Sequence, residues 1–536
     1  MPLLAVNVAL SITSDLAHHL VLALALLGPA FAWLAWMARR LESSRTSARG
    51  MSCAILAGAF LLRLPLLPLP LTLSDDALRY LWDGRVAAAG YNPYALSPAA
   101  ERLTLLRDER WRRLPHRQVQ TVYPPLSIAA FSIAARLPNP ILAWKAMAAA
   151  ADLAGCALLL ALARRLGLPV TRTVWYAWNP LVAIELSGMA HVDALGVAAC
   201  LAAVLCLVPA RREPPDTLPA PSWAAAGVLS AAGVLAKLAP IAAVPMWSRQ
   251  SGHPFKMLAV VGGLLAAACL PVLAATGGVP PGLLTYAVSW EFDGPVFEPL
   301  WRLLDAAGAA PLLARLLDAA KRATGEYTLW NPLYHYLYPQ FLAKALLGLA
   351  ALGIIAASWV RTAGAGQAGA GRAGERQGGE GQAGERQAGM RQAGEGRAGE
   401  GQAGERQAGE GQAGMRQAGE GRAGEGPVGQ SPAEARGARE QPAGGWSRPA
   451  LGPAAATGWL LGAILLLSAT VYPWYVVWVL PWAALYRHTA WLALSGLILL
   501  SYLAQRGGVP LMPWLFAAIW VPFWVLLLGG RRWSSA

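Results

Sequence analysis

The chain has 536 residues, of which 56% are hydrophobic and only 14% charged, with a formal net charge of +14. Apolar runs of membrane-spanning length recur along it, which excludes an ordinary soluble domain and points to a polytopic helical membrane protein. Its 44 basic residues include only five lysines (Lys145, Lys237, Lys256, Lys321 and Lys344), and the arginines are scattered with no binding motif around them, so nucleic acid is excluded as a partner and anionic lipid is favoured.

The first apolar run, about 16–38, is too long for a cleavable signal and reads as the first span. Further spans are expected at roughly 51–71, 123–137, 140–163, 172–188, 191–209, 223–247, 256–275, 334–359, 453–471, 473–486, 489–505 and 510–529. Some are short, and those near 123–137 and 473–486 read as tilted, re-entrant or merged. The expectation is an all-α bundle of about 11–13 transmembrane helices. Cys53, Cys156, Cys200, Cys206 and Cys269 lie in or beside these runs and show neither metal spacing nor a disulfide framework, so they read as small buried hydrophobes.

The loop after the first span carries Arg39, Arg40, Arg45 and Arg49 against Glu42 alone, so it should be cytoplasmic. The loop at 72–121 should then face the other side. A spanning hairpin at 123–163 would put Arg164 and Arg165 outside, against the same rule, and this conflict stays open at the level of sequence.

The 72–121 loop holds the densest charge near the bilayer, Ser74-Asp75-Asp76-Ala77-Leu78-Arg79-Tyr80-Leu81-Trp82-Asp83-Gly84-Arg85. Charge there is costly unless wet or paired, so it reads as a functional site. Leu78, Leu81, Trp82 and Val86 recur at helical spacing, which predicts an amphipathic helix lying at the interface and ending near Gly90, with a turn at Asn92-Pro93. Asp76, Arg79 and Asp83 share its polar face.

A second long loop, about 277–333, contains Trp290, Glu291, Phe292, Asp293 and Trp301 and should be ordered. From Ala363 to Pro427 the chain is thirteen pentapeptides of the AGERQ type, with eight arginines and nine glutamates. Such a tract buries too little surface to offset its ordering entropy, so 363–450 is expected to be a disordered loop. It divides a catalytic transmembrane region, 1–362, from C-terminal helices, 451–536.

Further motifs follow the acidic loop: Gly90-Tyr91-Asn92-Pro93-Tyr94, Tyr123-Pro124-Pro125-Leu126, Trp178-Asn179-Pro180-Leu181, Gly188-Met189-Ala190-His191-Val192-Asp193, Lys237-Leu238-Ala239-Pro240 and Tyr472-Pro473-Trp474-Tyr475. Together they resemble the GT-C-fold glycosyltransferases, most closely the polyprenol-phosphate-mannose-dependent mannosyltransferases of glycosyltransferase family 87, over roughly 50–250 and 455–485. The resemblance implies a lipid-linked sugar phosphate as donor, transfer in the first extracytoplasmic loop, an aspartate that activates the acceptor, and inversion at the anomeric carbon. In related enzymes an acidic residue precedes Arg-Tyr by two intervening positions, the place of Asp76 before Arg79-Tyr80. One departure is Tyr472, where relatives often carry His before Pro-Trp-Tyr.

Such a transfer needs a base for the acceptor hydroxyl and cations for the departing phosphate. Asp76 is the expected base, tuned by Asp75; both also suit a helix N-terminus as caps. Arg79 and Arg85 could meet phosphate or pair within the loop, for example with Asp83. Lys237 could bind phosphate or snorkel. His191 and Asp193 could orient the acceptor, bind a metal or sit at the water interface; Glu185 could serve the acceptor or pair between helices. Tyr123 and Tyr472 are expected at the substrate, and Trp82, Trp290 and Trp474 are candidates for sugar stacking, with an interface belt as the alternative. A divalent ion on Asp75 and Asp76 stays open. No phosphate-cradling Gly-rich loop is present.

The expectation is a multi-pass glycosyltransferase of the bacterial cytoplasmic membrane, with its site extracytoplasmic. It should move a sugar, by the resemblance mannose, from a polyprenyl-phosphate carrier to a glycolipid or envelope glycan. A transporter or lipid flippase is the alternative; it would place polar residues near mid-membrane in repeated halves. A non-enzymatic envelope assembly protein is a second rival.

Overall fold

The computed structural model describes residues 2–43, 46–209, 222–361, 451–507 and 513–530, so the pentapeptide tract lies outside the described residues. Among the described residues the secondary structure is helical, with only isolated bridges from Phe292 and Asp293 to Thr470. The chain is an all-α polytopic membrane protein, as its composition predicts.

Among the described residues five helices are long and apolar enough to cross a bilayer: α2 (Leu20–Glu42), α3 (Ala48–Arg63) with its one-turn extension to Leu66, α6 (Pro140–Arg165), and two later ones, Pro254–Thr276 and Pro339–Arg361. The pair Pro180–Gly188 and Asp193–Leu207, bent by 118° at its break, has the length and composition of a sixth, as one broken span or a re-entrant loop. Six further apolar helices among the described residues have 10–17 residues. At 1.5 Å per residue these are shorter than a hydrocarbon core of about 30 Å. The expected span near 473–486 is among the broken ones, a 3₁₀ turn at Pro473–Trp478 running into Leu480–Tyr486. The second loop is helical in large part, with Pro281–Ser289, Phe297–Ala306 and Ala309–Thr324.

Two differences from the sequence reading concern the N-terminal half. A helix at Pro2–Thr13, α1, precedes the first span, and Asn7 on it donates to the Leu62 carbonyl at 2.7 Å. The segment expected to span at 123–137 is instead α5 (Pro125–Ala135), only 11 residues long. It covers about 16 Å, too little to cross. An α5 too short to span leaves α6 as the element long enough to return, so the hairpin that would set Arg164 and Arg165 apart from the other arginines is not required. Two contacts agree. Arg487 pairs with Glu42 at the end of α2 at 3.3 Å, and Arg172, just beyond α6, donates to Leu485 O at 2.8 Å. The basic ends of α2 and α6 therefore share one end of the bundle. At the other end the Leu16 amide donates to Thr72 Oγ1 at 3.1 Å, tying the start of α2 to the charged loop.

The helix predicted in that loop is α4 (Asp76–Ala88). It stops before Gly90, whose φ of +83° suits a residue without Cβ, and the Asn92 side chain closes the following turn by accepting from the Tyr94 amide at 2.9 Å. The helix does not lie with its polar face in water, however. Leu78, Leu81, Trp82 and Val86 are buried, and so are Arg79 and Asp83 on the opposite face. The segment 115–121 folds over that face, and Arg79 donates to the carbonyls of His116 (3.1 Å) and Val119 (2.7 Å).

α4 rests on α5 at Gly84. A Cβ there would come within 2.4 Å of the Phe131 carbonyl oxygen, so only glycine permits the approach. Beside it Tyr80 stacks on Phe131 with centroids 4.7 Å apart, and Trp144 of α6 meets both rings edge-on. Deeper in the bundle Arg63 of α3 pairs with Asp152 of α6 at 2.9 Å, and Tyr176 donates to the same carboxylate at 3.2 Å. Each charge in that apolar setting depends on its partner.

Candidate active site

The N-terminus of α4 opens onto a cavity of about 440 Å³, within the usual range for small-ligand sites. Asp76 faces it from the first turn of the helix. Its amide is held by Ser74 Oγ at 3.3 Å, and its side chain keeps 30% exposure. Burial in this recess raises the Asp76 carboxyl to about 6. Lys237 opposes the shift, the Asp193 and Asp75 charges reinforce it, and Arg79 pulls back. Asp75 therefore tunes its neighbour less than burial does. Asp75 makes no side-chain cap; it accepts from Arg113 at 2.9 Å.

Across the cavity stand Lys237 and Asp193. Lys237 ends the helix Trp223–Ala236 in extended backbone, which turns its side chain out of the helix and into the cavity. Its ammonium donates to Asp193 Oδ2 at 3.2 Å and lies 5.3 Å from the Tyr475 ring centroid. Trp478 donates to the other Asp193 oxygen at 2.6 Å. Gly196 makes room for this indole, since a Cβ there would lie 2.3 Å from its ring. The pair is thus fixed from two sides while the ammonium keeps cavity exposure.

The walls are aromatic. Phe292, Tyr472 and Trp474 stack in series, with centroids 4.8 and 4.6 Å apart. Tyr286 and Tyr475 share a hydroxyl contact of 2.7 Å, and Trp290 packs on His116 at 4.4 Å. Leu283, Leu461, Ile464 and Leu465 supply an apolar side. A carboxylate, a cation, aromatic faces and an apolar wall together suit a sugar bearing an anionic group and a lipid tail.

Of the residues singled out in the sequence, Asp75, Asp76, Arg79, Tyr123, Asp193, Lys237, Tyr472 and Trp474 line this cavity. Asp83 and Arg85 are not brought to it. Asp83 is buried against Arg79 at 2.9 Å, and Arg85 pairs with Asp108 at 2.9 Å and donates to the Leu106 carbonyl. Arg79 touches the cavity edge, but its donors are engaged within the loop. His191 lies one layer behind the wall, stacked on Trp474 at 3.9 Å and fully buried. Of the tryptophans named for stacking, Trp290 and Trp474 line the cavity and Trp82 does not. Glu185 is also fully buried, accepting from Tyr502 at 2.9 and 3.0 Å. Tyr286, His116 and Gln505 line the cavity and were not anticipated, because no local motif marks them. Among the described residues no cluster of three His, Cys, Asp or Glu side chains is arranged to hold a metal ion.

The fold and the cavity define a helical membrane protein with a polar, aromatic cavity beside a short, buried loop helix. Residues 2–249, a little under half of the chain, match the family model described as alpha-(1->6)-mannopyranosyltransferase, N-terminal domain. This match includes α4 and the segments carrying Asp193 and Lys237, and it supports a mannosyltransferase, an enzyme with a sugar donor and an acceptor. No curated protein and no solved structure matches the chain.

Proposed function

We propose that the protein transfers mannose from a polyprenyl-phosphate carrier to a glycolipid or glycan acceptor, with inversion, at the extracytoplasmic face of the bacterial cytoplasmic membrane. The observation that carries this reading is Asp76: a carboxyl raised to about 6 by burial, facing a cavity shared with the Lys237 ammonium. A base with that affinity is ionised at neutral pH yet holds a proton better than an ordinary aspartate. In the reaction Asp76 takes the acceptor hydroxyl proton as its oxygen attacks the anomeric carbon. The bond from that carbon to the phosphate oxygen breaks, and the lipid phosphate leaves with the electron pair. Lys237, moving from Asp193 by about the length of a hydrogen bond, meets the departing charge. Tyr472 and Trp474 offer flat faces to the sugar.

The sidedness follows from the arginine-rich ends of α2 and α6, which the positive-inside rule puts in the cytoplasm, opposite the loop bearing Asp76. No nucleotide sugar is available on that side, so a lipid must deliver the activated sugar. The apolar wall of Leu283, Leu461, Ile464 and Leu465 suits the prenyl chain. The test is donor dependence: protein reconstituted in liposomes with a membrane extract as acceptor is given either polyprenyl-phosphate-[³H]mannose or labelled guanosine-diphosphate mannose. Label should enter product from the lipid donor only. Transfer from the nucleotide sugar alone would refute the donor assignment.

A further inference from the structure

The connection between the spans Pro254–Thr276 and Pro339–Arg361 begins at the cavity and then leaves it. Its first helix, Pro281–Ser289, lines the cavity with Leu283 and Tyr286, so the connection emerges at the cavity end of the bundle. The next helix, Phe297–Ala306, docks on the second of these spans. Phe297 is fully buried and packs with Ala343 and Leu347. Those two residues lie about 6 and 12 Å from the start of the span, at 1.5 Å per residue. The helix is therefore level with the outer turns of a membrane-crossing element rather than raised above it.

The helix after it, Ala309–Thr324, follows Gly308, whose φ of +64° turns the chain sharply. At about 100° per residue its sequence divides into two sides. Leu312, Leu313, Leu316 and Leu317 fall on one, and Arg315, Asp318, Lys321 and Arg322 on the other. A helix bathed in water would turn the leucines inward onto the protein. The reverse holds here, because the side that meets the chain is the polar one. Tyr334 donates to Asp318, and the Lys321 ammonium lies 4.6 Å from the Tyr334 ring centroid and 5.5 Å from that of Tyr327. None of the 16 residues of this helix is buried. Leu312 and Leu316 are 56% and 58% exposed, and Leu303 on the preceding helix is 65% exposed. Tyr327, Trp330, Tyr334, Tyr336 and Tyr338 then follow just ahead of the span, where an interfacial aromatic belt belongs.

We infer that Ala309–Thr324 is a membrane-surface helix: it lies in the leaflet on the cavity side, with its leucines among acyl chains and Arg315 and Arg322 among headgroups. Three observations select lipid over a protein partner. The connection is tied to spans at both ends, Phe297 sets its depth at the outer turns of one of them, and the aromatic run marks the same level. On the polar side of the helix three basic residues stand against one acid, which suits anionic headgroups. The seat also bears on the cavity. Tyr286 and Trp290 stand on the same connection, and Glu291 beside them pairs with Lys344 of the span at 2.8 Å. That aromatic wall is thereby held near headgroup depth. The inference goes beyond the proposed reaction and does not depend on it.

The test attaches a bimane fluorophore to the full chain carrying Leu316→Cys or Arg322→Cys in a Cys53→Ala background, since Cys53 is the exposed native thiol among the described residues. Each protein is reconstituted sparsely into vesicles of phosphatidylcholine and phosphatidylglycerol, and the signal of the background protein is subtracted. Quenching is read with nitroxide-labelled phosphatidylcholine and, separately, with iodide on both sides of the membrane. A helix seated in the leaflet predicts lipid quenching at least about threefold stronger for Leu316→Cys than for Arg322→Cys, and the opposite order with iodide. Equal and strong iodide quenching of both labels overturns the proposal, because the helix then stands in water. Shielding of the Leu316→Cys label from both quenchers also overturns it, because a second copy or another surface of the chain then covers the leucines. Leu312→Cys takes the place of Leu316→Cys should that variant fail to accumulate. No reading involves sugar transfer, so this result and that of the donor assay can fail separately.

Discussion

Raising the carboxyl of Asp76 to about 6 makes a quantitative demand on the pH dependence of transfer. If the ionised form is the active one, about 0.9 of the enzyme is competent at pH 7 and about 0.09 at pH 5, so kcat/KM should fall about tenfold over that interval. An ordinary aspartate would lose only about 7%. A phosphodiester donor does not titrate there, so the acid limb belongs to the protein. Its position should respond to the neighbouring charges. Asp75→Asn removes a contribution that raises the Asp76 carboxyl and should move the limb down. Lys237→Met removes one that lowers it and should move the limb up, whatever it does to the absolute rate. Initial rates with the labelled lipid donor between pH 4.5 and about 8, at fixed ionic strength, would show this. The same shift has a stability sign. The folded protein holds this proton more tightly than the unfolded chain, so the stabilisation is full below the ordinary carboxylate range and is lost as pH rises through about 6. Asp76→Asn should therefore melt higher than wild type at pH 7.5. A flat rate profile from pH 7 down to 5, or a limb that ignores both substitutions, would refute the reasoning.

Three further outcomes are expected. Gly84→Val would drive methyl groups into the Phe131 carbonyl, costing about 1–3 kcal/mol by overpacking and displacing α4; membrane abundance and thermal stability would register it. Arg63→Leu alone should destabilise by about 3–5 kcal/mol because Asp152 is left unpaired, and the double variant with Asp152→Leu should recover much of that loss in the same melting assay. Leu105, 98% exposed on the loop following α4, should accept a membrane-impermeant maleimide in intact cells when replaced by cysteine in a Cys53→Ala background, while Arg164→Cys should not; labelling in the reverse pattern would invert the topology.

The sequence made the local features legible and left the long-range ones hidden. Density of charge beside apolar spans was enough to find the loop, because charge held next to a bilayer is costly unless wet or paired. The choice of Asp76 within it rests on the resemblance, which expects an acidic residue separated from Arg-Tyr by two intervening positions. The 3.6-residue spacing of Leu78, Leu81, Trp82 and Val86 identified α4 but not its burial on both faces, since nothing local shows that 115–121 folds over Arg79 and Asp83. For Lys237 the alternatives were snorkelling and phosphate; its contact with Asp193, 44 residues away, depends on how two helices meet. Sequence leaves His191 open to orienting the acceptor, binding a metal or sitting at the water interface; it is fully buried, because the chain bends by 118° around it and Trp474 closes over the ring. The Glu185 contact with Tyr502, 317 residues distant, lay beyond any motif, though a glutamate in an apolar run was a visible signal. α1 was missed because a 12-residue apolar stretch does not reach spanning length.

The central claim is that the Asp76 carboxylate performs the proton abstraction. Its most direct test is transfer of labelled mannose from the lipid donor by Asp76→Asn, measured beside Asp76→Glu and wild type at matched membrane abundance. The account predicts a fall of at least about a hundredfold in kcat for asparagine, with partial activity for glutamate. Asparagine transferring sugar at the wild-type rate would contradict it.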